Sequence, residues 1–215
     1  MLEARIEIEL EDGAVDAFVA CPATPGRKAP ILLLPDRRGL SADVETTARR
    51  LSAHSYFVLA PDLSQRPAED RRDAASACLD HLADERRVDD ARVGLLGFGS
   101  GANLAVSLAA ARAERIAAVG AYGGRGLGPR TAREIANRIN GVVRIGYAVG
   151  QSPPRLGILE GALCEAGVDF DIEVYREQPD WPGLLDFFAR TLAAPTAATA
   201  PRDGAKRRGL QPLGA

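Results

Sequence analysis

The chain has 215 residues, 46% hydrophobic and 26% charged, which is enough for one domain with a substantial core. Its 27 basic and 29 acidic side chains give a formal net charge of −2, which excludes the one-signed field expected of a nucleic-acid binder or of a protein held on an anionic membrane. The three cysteines (Cys21, Cys78 and Cys164) form no CxxC pair and, with only two histidines, no metal-ligand spacing, so buried free thiols and no metal or organic cofactor are expected.

Met1–Arg5 has no apolar leader core, and no apolar run approaches the roughly 18–20 residues of a membrane span. A soluble, cytoplasmic protein is the expectation.

Residues 5–10 alternate apolar and charged side chains, as a half-buried strand does, and Glu11-Asp12-Gly13 is a turn signal before a returning strand at 14–20. The wholly apolar run at 31–34 reads as a strand of a parallel sheet covered on both faces. Ser41 is placed to cap a helix running to about His54, and a second apolar strand follows at 56–60. A polar helix is predicted over about 68–87, then a third apolar strand at 93–98. A small-residue helix at 102–113 and strands at 116–121 and 142–148 come next, followed by a helix at 156–166, a strand at 170–175 and a last helix at 184–193. Strands alternating with helices predict an α/β doubly wound, mostly parallel sheet with an antiparallel hairpin at its N-terminal edge, in a single domain over 1–194. Residues 195–215, rich in Ala, Pro, Gly, Lys and Arg without an apolar period, read as a disordered tail.

In open α/β sheets, ligands bind at the carboxyl ends of the strands. There the chain carries Arg92-Val93-Gly94-Leu95-Leu96-Gly97-Phe98-Gly99-Ser100-Gly101-Ala102. An apolar strand, a tight Gly-rich turn and a small-residue helix make a nucleophile elbow, in which small residues must stand two positions either side of the nucleophile. With Gly97 and Gly101 as that pair, the nucleophile position is Gly99, which has no side chain to attack with. Ser100 as nucleophile is the alternative, and it would put Phe98 where sterics ask for a small residue. A turn that merely joins strand to helix, or that holds a phosphate at the helix N-terminus, is a further reading.

From about Ala29 to Leu192 the chain resembles the dienelactone hydrolase family, which implies the α/β-hydrolase fold. The elbow is similar to that family's Gly-Tyr-Cys-Leu-Gly-Gly, whose cysteine falls on Gly99. Leu34-Pro35-Asp36-Arg37-Arg38-Gly39-Leu40 resembles its oxyanion-loop segment, with the acidic residue on Asp36. Pro61-Asp62-Leu63-Ser64-Gln65-Arg66 resembles its Pro-Asp-Leu-Tyr-Ala-Arg, whose substrate-carboxylate arginine falls on Arg66. The departures are equally plain. The family's acid-bearing loop corresponds to 149–153, which holds no acid; its histidine position falls on Asp180, and a second carboxylate-binding arginine would fall on Leu184.

The two histidines give an independent argument. His54 ends the helix before a strand, at the amino-end face of the sheet, and His81 lies within the helix before Val93. Neither is placed to serve as the base beside an elbow at the opposite edge.

What remains suits acid–base work beside a carbonyl. The Ser100 N–H and one from the 36–38 loop are candidate oxyanion-hole donors. Gly99 leaves room beside them, Arg66 and Arg37 are candidates to hold a substrate anion, and Asp180 and Asp36 are candidate proton-transfer groups. Ser100 and Tyr122 are candidate hydrogen-bond donors. The expected function is a non-hydrolytic enzyme (isomerisation, dehydration, decarboxylation or cyclisation of a small carboxylate or polyketide-like substrate) in a biosynthetic setting. The alternatives are a non-catalytic binder of a small acid or a protein partner, and a weak esterase or lactonase using Ser100. Bland readings stand beside each residue: an Asp36–Arg66 ion pair, Asp180 or Ser100 as helix caps, Tyr122 as a packing residue, and Arg37 facing water.

Overall fold

A computed structural model of the chain describes residues 1–89, 92–150 and 156–193. The disordered tail expected over residues 195–215 lies outside the described residues.

The elements are, in chain order, β1 (Leu2–Leu10), β2 (Gly13–Cys21), β3 (Pro30–Leu34), α1 (Ala42–Ala53), β4 (Phe57–Pro61), α2 (Arg71–Asp84), β5 (Val93–Phe98), α3 (Ser100–Ala111), β6 (Ile116–Tyr122), α4 (Pro129–Ala136), β7 (Val142–Ala148), α5 (Leu156–Glu165), β8 (Phe170–Tyr175) and α6 (Trp181–Leu192). One eight-stranded sheet has the order β1-β2-β4-β3-β5-β6-β7-β8. The β1–β2 hairpin closes on Leu10 opposite Gly13, and β2 also pairs antiparallel with β4. Every pairing from β4 to β8 is parallel. This is the mostly parallel sheet with an N-terminal antiparallel hairpin that the alternation of apolar runs predicts.

The runs at 30–34 and 57–61 are buried at every position, because helices cover both faces of the sheet. On one face α1 and α6 cover a cluster that includes Ile31, Leu33, Leu51, Leu96, Phe187 and Phe188. On the other, α2, α3, α4 and α5 cover Leu32, Leu34, Leu59, Leu79, Leu95 and Leu163. Ser41 caps α1 through its side chain, accepting from the Val44 N–H.

Three local readings change. α2 is shorter than the predicted 68–87. α6 begins at Trp181 rather than Leu184, since Pro182 fits the first helical turn, where its missing N–H costs nothing. The eight-residue α4 was not predicted at all; it buries only Ala132 and Ala136, too faint a stripe to read as a periodic pattern. Cys21 and Cys78 are buried as expected, whereas Cys164 is exposed on α5. None of the described helices is long and apolar enough to cross a membrane.

Candidate functional site

Parallel register sets the ends of β3, β5 and β6 side by side: Leu34 lies opposite Gly97, and Phe98 opposite Tyr122. At the end of β5 the chain reverses into α3 through Gly99, with φ 56° and ψ −118°. That region strongly favours glycine. The Gly99 N–H donates to the Tyr122 carbonyl at 2.8 Å, which ties the turn to the next strand. The flanking glycines are sterically required. A Cβ on Gly97 would run into the Gly101 carbonyl, and one on Gly101 into the Leu34 carbonyl. The turn therefore has the crowding of a nucleophile elbow with Gly99 at its apex.

The space beside that apex is partly occupied, which corrects the expectation of extra room. A Cβ on Gly99 would lie 3.0 Å from the Asp36 Cβ and 3.8 Å from Asp36 Oδ2. Asp36 follows β3 and organises its own loop. Its Oδ1 accepts the Arg38 N–H at 2.9 Å, the Arg38 Nε donates to Oδ2 at 3.1 Å, and the Asp36 carbonyl accepts the Gly39 N–H at 3.1 Å. Two of the loop's N–H groups are thus already used within the turn.

Asp62, after β4, fixes this loop from the other side. It accepts the Leu40 N–H at 3.3 Å and the Ser64 N–H at 3.0 Å. Burial alone would raise its pKa, but the bonds from Ser64 and Leu40 outweigh it and hold the carboxyl below the usual carboxylate range. Gly39 has φ +70°, and a Cβ there would collide with the Asp62 carboxylate.

Asp36 and Ser100 share a cleft of about 410 Å³, walled by Glu69 and the start of α2 (Arg71, Arg72) and floored by α3 (Asn103, Leu104, Ser107). Of the residues predicted from sequence, the structure brings these two together at the elbow formed by Gly99. It does not bring the others. Arg66 turns back to the hairpin and pairs with Asp12 at 2.5 Å, whereas Asp36 pairs with Arg38, so the Asp36–Arg66 pair is not formed. Arg37 is exposed on the loop. Asp180 caps α6, its Oδ1 accepting the Gly183 N–H at 3.2 Å, while its own N–H donates to Glu173.

Tyr122 is buried, and its hydroxyl donates to Glu173 Oε2 at 3.0 Å while accepting from Arg144 Nε at 3.1 Å. Burial, with the Glu173 charge, raises the pKa of this phenol well above its ordinary value. Its ring packs against Phe98 and Tyr175, at centroid distances of 5.8 and 6.2 Å, so it supports the elbow from below.

His54 is the C-cap of α1 and His81 lies exposed in the last turn of α2. Neither lines the cleft. The cysteines offer no thiolate there either: burial raises the Cys21 thiol and pushes Cys78 up to about 12. Among the described residues no group of three or more His, Cys, Asp or Glu could hold a metal. Residues 151–153 of the loop after β7, aligned above with the family's acid-bearing loop, lie outside the described residues.

Arg144 is the functional-looking residue that sequence reading missed. It reaches from β7 to Asp171 at 2.9 Å and Glu173 at 3.0 Å on β8, and to Asp180 at 3.8 Å. A single arginine inside an apolar strand, opposite a strand reading Phe-Asp-Ile-Glu-Val, was the available signal.

A sheet of this order, with this elbow, defines the α/β-hydrolase fold. The chain belongs to the dienelactone hydrolase family, whose sequence profile matches residues 15–85 and 72–179. It is 25% identical over 183 residues to a Methylorubrum extorquens protein named as a carboxymethylenebutenolidase, spanning 75% of this chain and 60% of that one. The chain thus matches about three fifths of that relative's length. A Klebsiella pneumoniae structure named as a dienelactone hydrolase superposes with a TM-score of 0.75 at 19% identity, over 88% of this chain and 98% of that one. A dienelactone hydrolase-like promiscuous phosphotriesterase from metagenomic libraries gives 0.77 at 18%, over 89% and 99%. At those identities the likeness of the structures is one of fold.

Proposed function

We propose that this chain works without the nucleophile–histidine–acid triad and performs acid–base chemistry on a small carboxylate or polyketide-like substrate bound beside the elbow. The observation that carries this reading is Asp36 standing against Gly99. The Asp36 side chain crowds the place of a nucleophile's Cβ, with its carboxylate alongside, and both histidines lie elsewhere. Asp36 accepts a proton from the carbon beside a substrate carbonyl. The Ser100 N–H, in the first turn of α3, stabilises the resulting enolate oxygen, and the Ser100 hydroxyl donates to it. Returning the proton to a different carbon isomerises the substrate; loss of a β-hydroxyl as water dehydrates it.

The test is exchange of the proton beside the carbonyl in 3-oxo acids and enol lactones, followed by NMR in D2O. Wild type catalyses exchange, and Asp36→Asn loses it by roughly 10²–10⁴-fold, the usual contribution of a positioned acid–base group. Undiminished exchange in Asp36→Asn, or ring-opened lactone together with an acyl label on Ser100, sinks the proposal; the latter outcome is the esterase reading.

A second reading, a non-catalytic binder of a small acid, is favoured by one feature. Asp180 is committed to capping α6, which takes one of the two predicted proton-transfer carboxylates away from the elbow.

A further inference from the structure

The cleft has a cation that neither the family motif nor the elbow points to. Arg71 opens α2 and lines the cleft wall. Its Nε donates to the Arg66 carbonyl at 2.9 Å and its second terminal nitrogen to the Ser64 carbonyl at 3.2 Å. A guanidinium has five N–H donors, so about three remain after these two bonds. Among the described residues no carboxylate pairs with it. Two backbone carbonyls orient the group without neutralising it, which is the preorganised state from which a guanidinium grips an anion best.

Arg66 makes the opposite use of its charge, spending it on Asp12. The other charges around the cleft leave this one uncompensated: Asp36 is paired with Arg38, and Arg72 faces Asp73 only at 3.5 Å between exposed side chains. Glu69 is exposed at the rim.

The cleft also has a direction. Ser100, Asn103, Leu104 and Ser107 form one stripe of α3, and from Ser100 to Ser107 that stripe is about 10 Å long at 1.5 Å per residue. The floor is therefore a polar track with one apolar step, starting at Asp36.

We propose that Arg71, not Arg66, is the anion-holding residue of this protein, and that the cleft takes an extended small-molecule carboxylate lying along α3 with its reacting end at Asp36 and Ser100. This rests on the reading that the elbow cleft is the substrate site, but it concerns binding alone and is tested apart from turnover.

The probes are linear mono- and dicarboxylates of four to eight carbons, titrated calorimetrically against the full chain and compared with the uncharged amides of the same length. The variants are Arg71→Gln, Arg71→Lys, Arg66→Gln and Ser107→Trp, each checked for folding by circular dichroism. The expected result is binding of the acids over the amides, weakened at least tenfold by Arg71→Gln, partly recovered in Arg71→Lys and unaffected by Arg66→Gln. Ser107→Trp, which keeps Arg71 and fills the far end of the track, weakens the longer acids more than the four-carbon ones; it serves as the test if Arg71→Gln does not fold. Loss of binding in Arg66→Gln with retention in folded Arg71→Gln overturns the assignment, as does failure of every acid to bind wild type at millimolar concentration. Carboxylate binding through Arg71 without proton exchange in D2O leaves this inference standing and overturns only the catalytic reading.

Discussion

The Cβ of Asp36 lies 3.0 Å from the position a Cβ would take on Gly99. Restoring a nucleophile by Gly99→Cys therefore meets two costs. A non-glycine residue at φ 56°, ψ −118° is strained by about 1–3 kcal/mol, and the new Cβ presses on Asp36. Urea unfolding is expected to show Gly99→Cys destabilised by at least that strain. Adding Asp36→Ala should recover part of the loss, a non-additivity that marks direct contact. Neither variant should accumulate an acyl-enzyme with an activated ester, because both histidines remain outside the cleft. A Gly99→Cys protein as stable as wild type would mean that residue 99 is held in no strained turn and does not press on Asp36.

Gly97 and Gly101 are under a different constraint, contact with backbone rather than with a side chain. Gly97→Ala and Gly101→Ala each place a methyl group inside a backbone carbonyl oxygen, that of Gly101 in the β5–α3 turn and that of Leu34 at the end of β3, and neither can turn away without breaking its element. Either should cost more than the 1–3 kcal/mol typical of overpacking or prevent folding. Gly128→Ala has open space and negative φ, and is the control: its melting temperature should stay near that of wild type.

Those glycines were legible in the sequence because the elbow is local. Gly97, Gly99 and Gly101 lie within five residues, and their spacing carries the steric rule directly. The strands were legible for a similar reason, since burial on both faces writes an unbroken apolar run at 31–34 and 93–98. The charged partners were not. Arg66 meets Asp12 across 54 positions, through a hairpin turn whose distance from the cleft depends on how β2 lies against β4. Arg144, Glu173 and Asp180 sit on three elements that only the β7–β8 pairing and the seat of α6 bring together. Asp180 is intermediate. The cap reading was available from its position ahead of Gly183, and the competing catalytic reading came from alignment with a histidine.

The Asp180 cap has a measurable consequence. Asp180→Ala removes the acceptor for the Gly183 N–H and should cost about 1 kcal/mol by urea unfolding, the usual worth of an N-cap, whereas Asp180→Ser should restore most of it. Proton exchange in D2O should be unchanged in both. A catalytic Asp180 would give the reverse pattern, with activity lost in the serine variant and stability kept.

Two carboxyls give stability opposite pH dependences. Asp171 has its pKa raised, first by burial, against the lowering pull of Arg144. As pH rises, the unfolded chain loses this proton before the folded one. The contribution is thus fully present below the unfolded pKa, about 4, and is lost as pH rises through the higher folded value. Asp62 has its pKa lowered, so its contribution is present above the unfolded value and is lost as pH falls through the folded one. Relative to wild type, Asp171→Asn should gain stability as pH climbs from 3 to 7, and Asp62→Asn should lose it over the same climb. Matching slopes in the two variants would contradict both assignments.

Among the charged residues the strongest single destabilisation is expected at Arg144, whose side chain is 11% exposed. Its neighbours supply three carboxylates and a phenol, so it is the only cation among the described residues joining Asp171, Glu173 and Asp180. Burial alone would lower its pKa; Tyr122, Asp171 and Glu173 together push it the other way and keep the charge in place. Arg144→Met preserves much of the volume but leaves Glu173, itself 10% exposed, facing Asp171 and the Tyr122 hydroxyl without a counter-charge. Breaking one side of such a pair costs about 3–5 kcal/mol. Glu173→Gln should cost less, because the amide oxygen can still accept from Arg144 and two carboxylates remain to balance it. The double variant Arg144→Met/Glu173→Gln should be more stable than Arg144→Met alone, since the uncompensated charge has gone. Because Tyr122 carries the Gly99 N–H on its carbonyl, loosening this cluster should also weaken carboxylate binding in the cleft. If Arg144→Met unfolded in urea at the wild-type midpoint, the network would be a surface feature without energetic weight, and the support it gives the elbow through Tyr122 would have to come from ring packing alone.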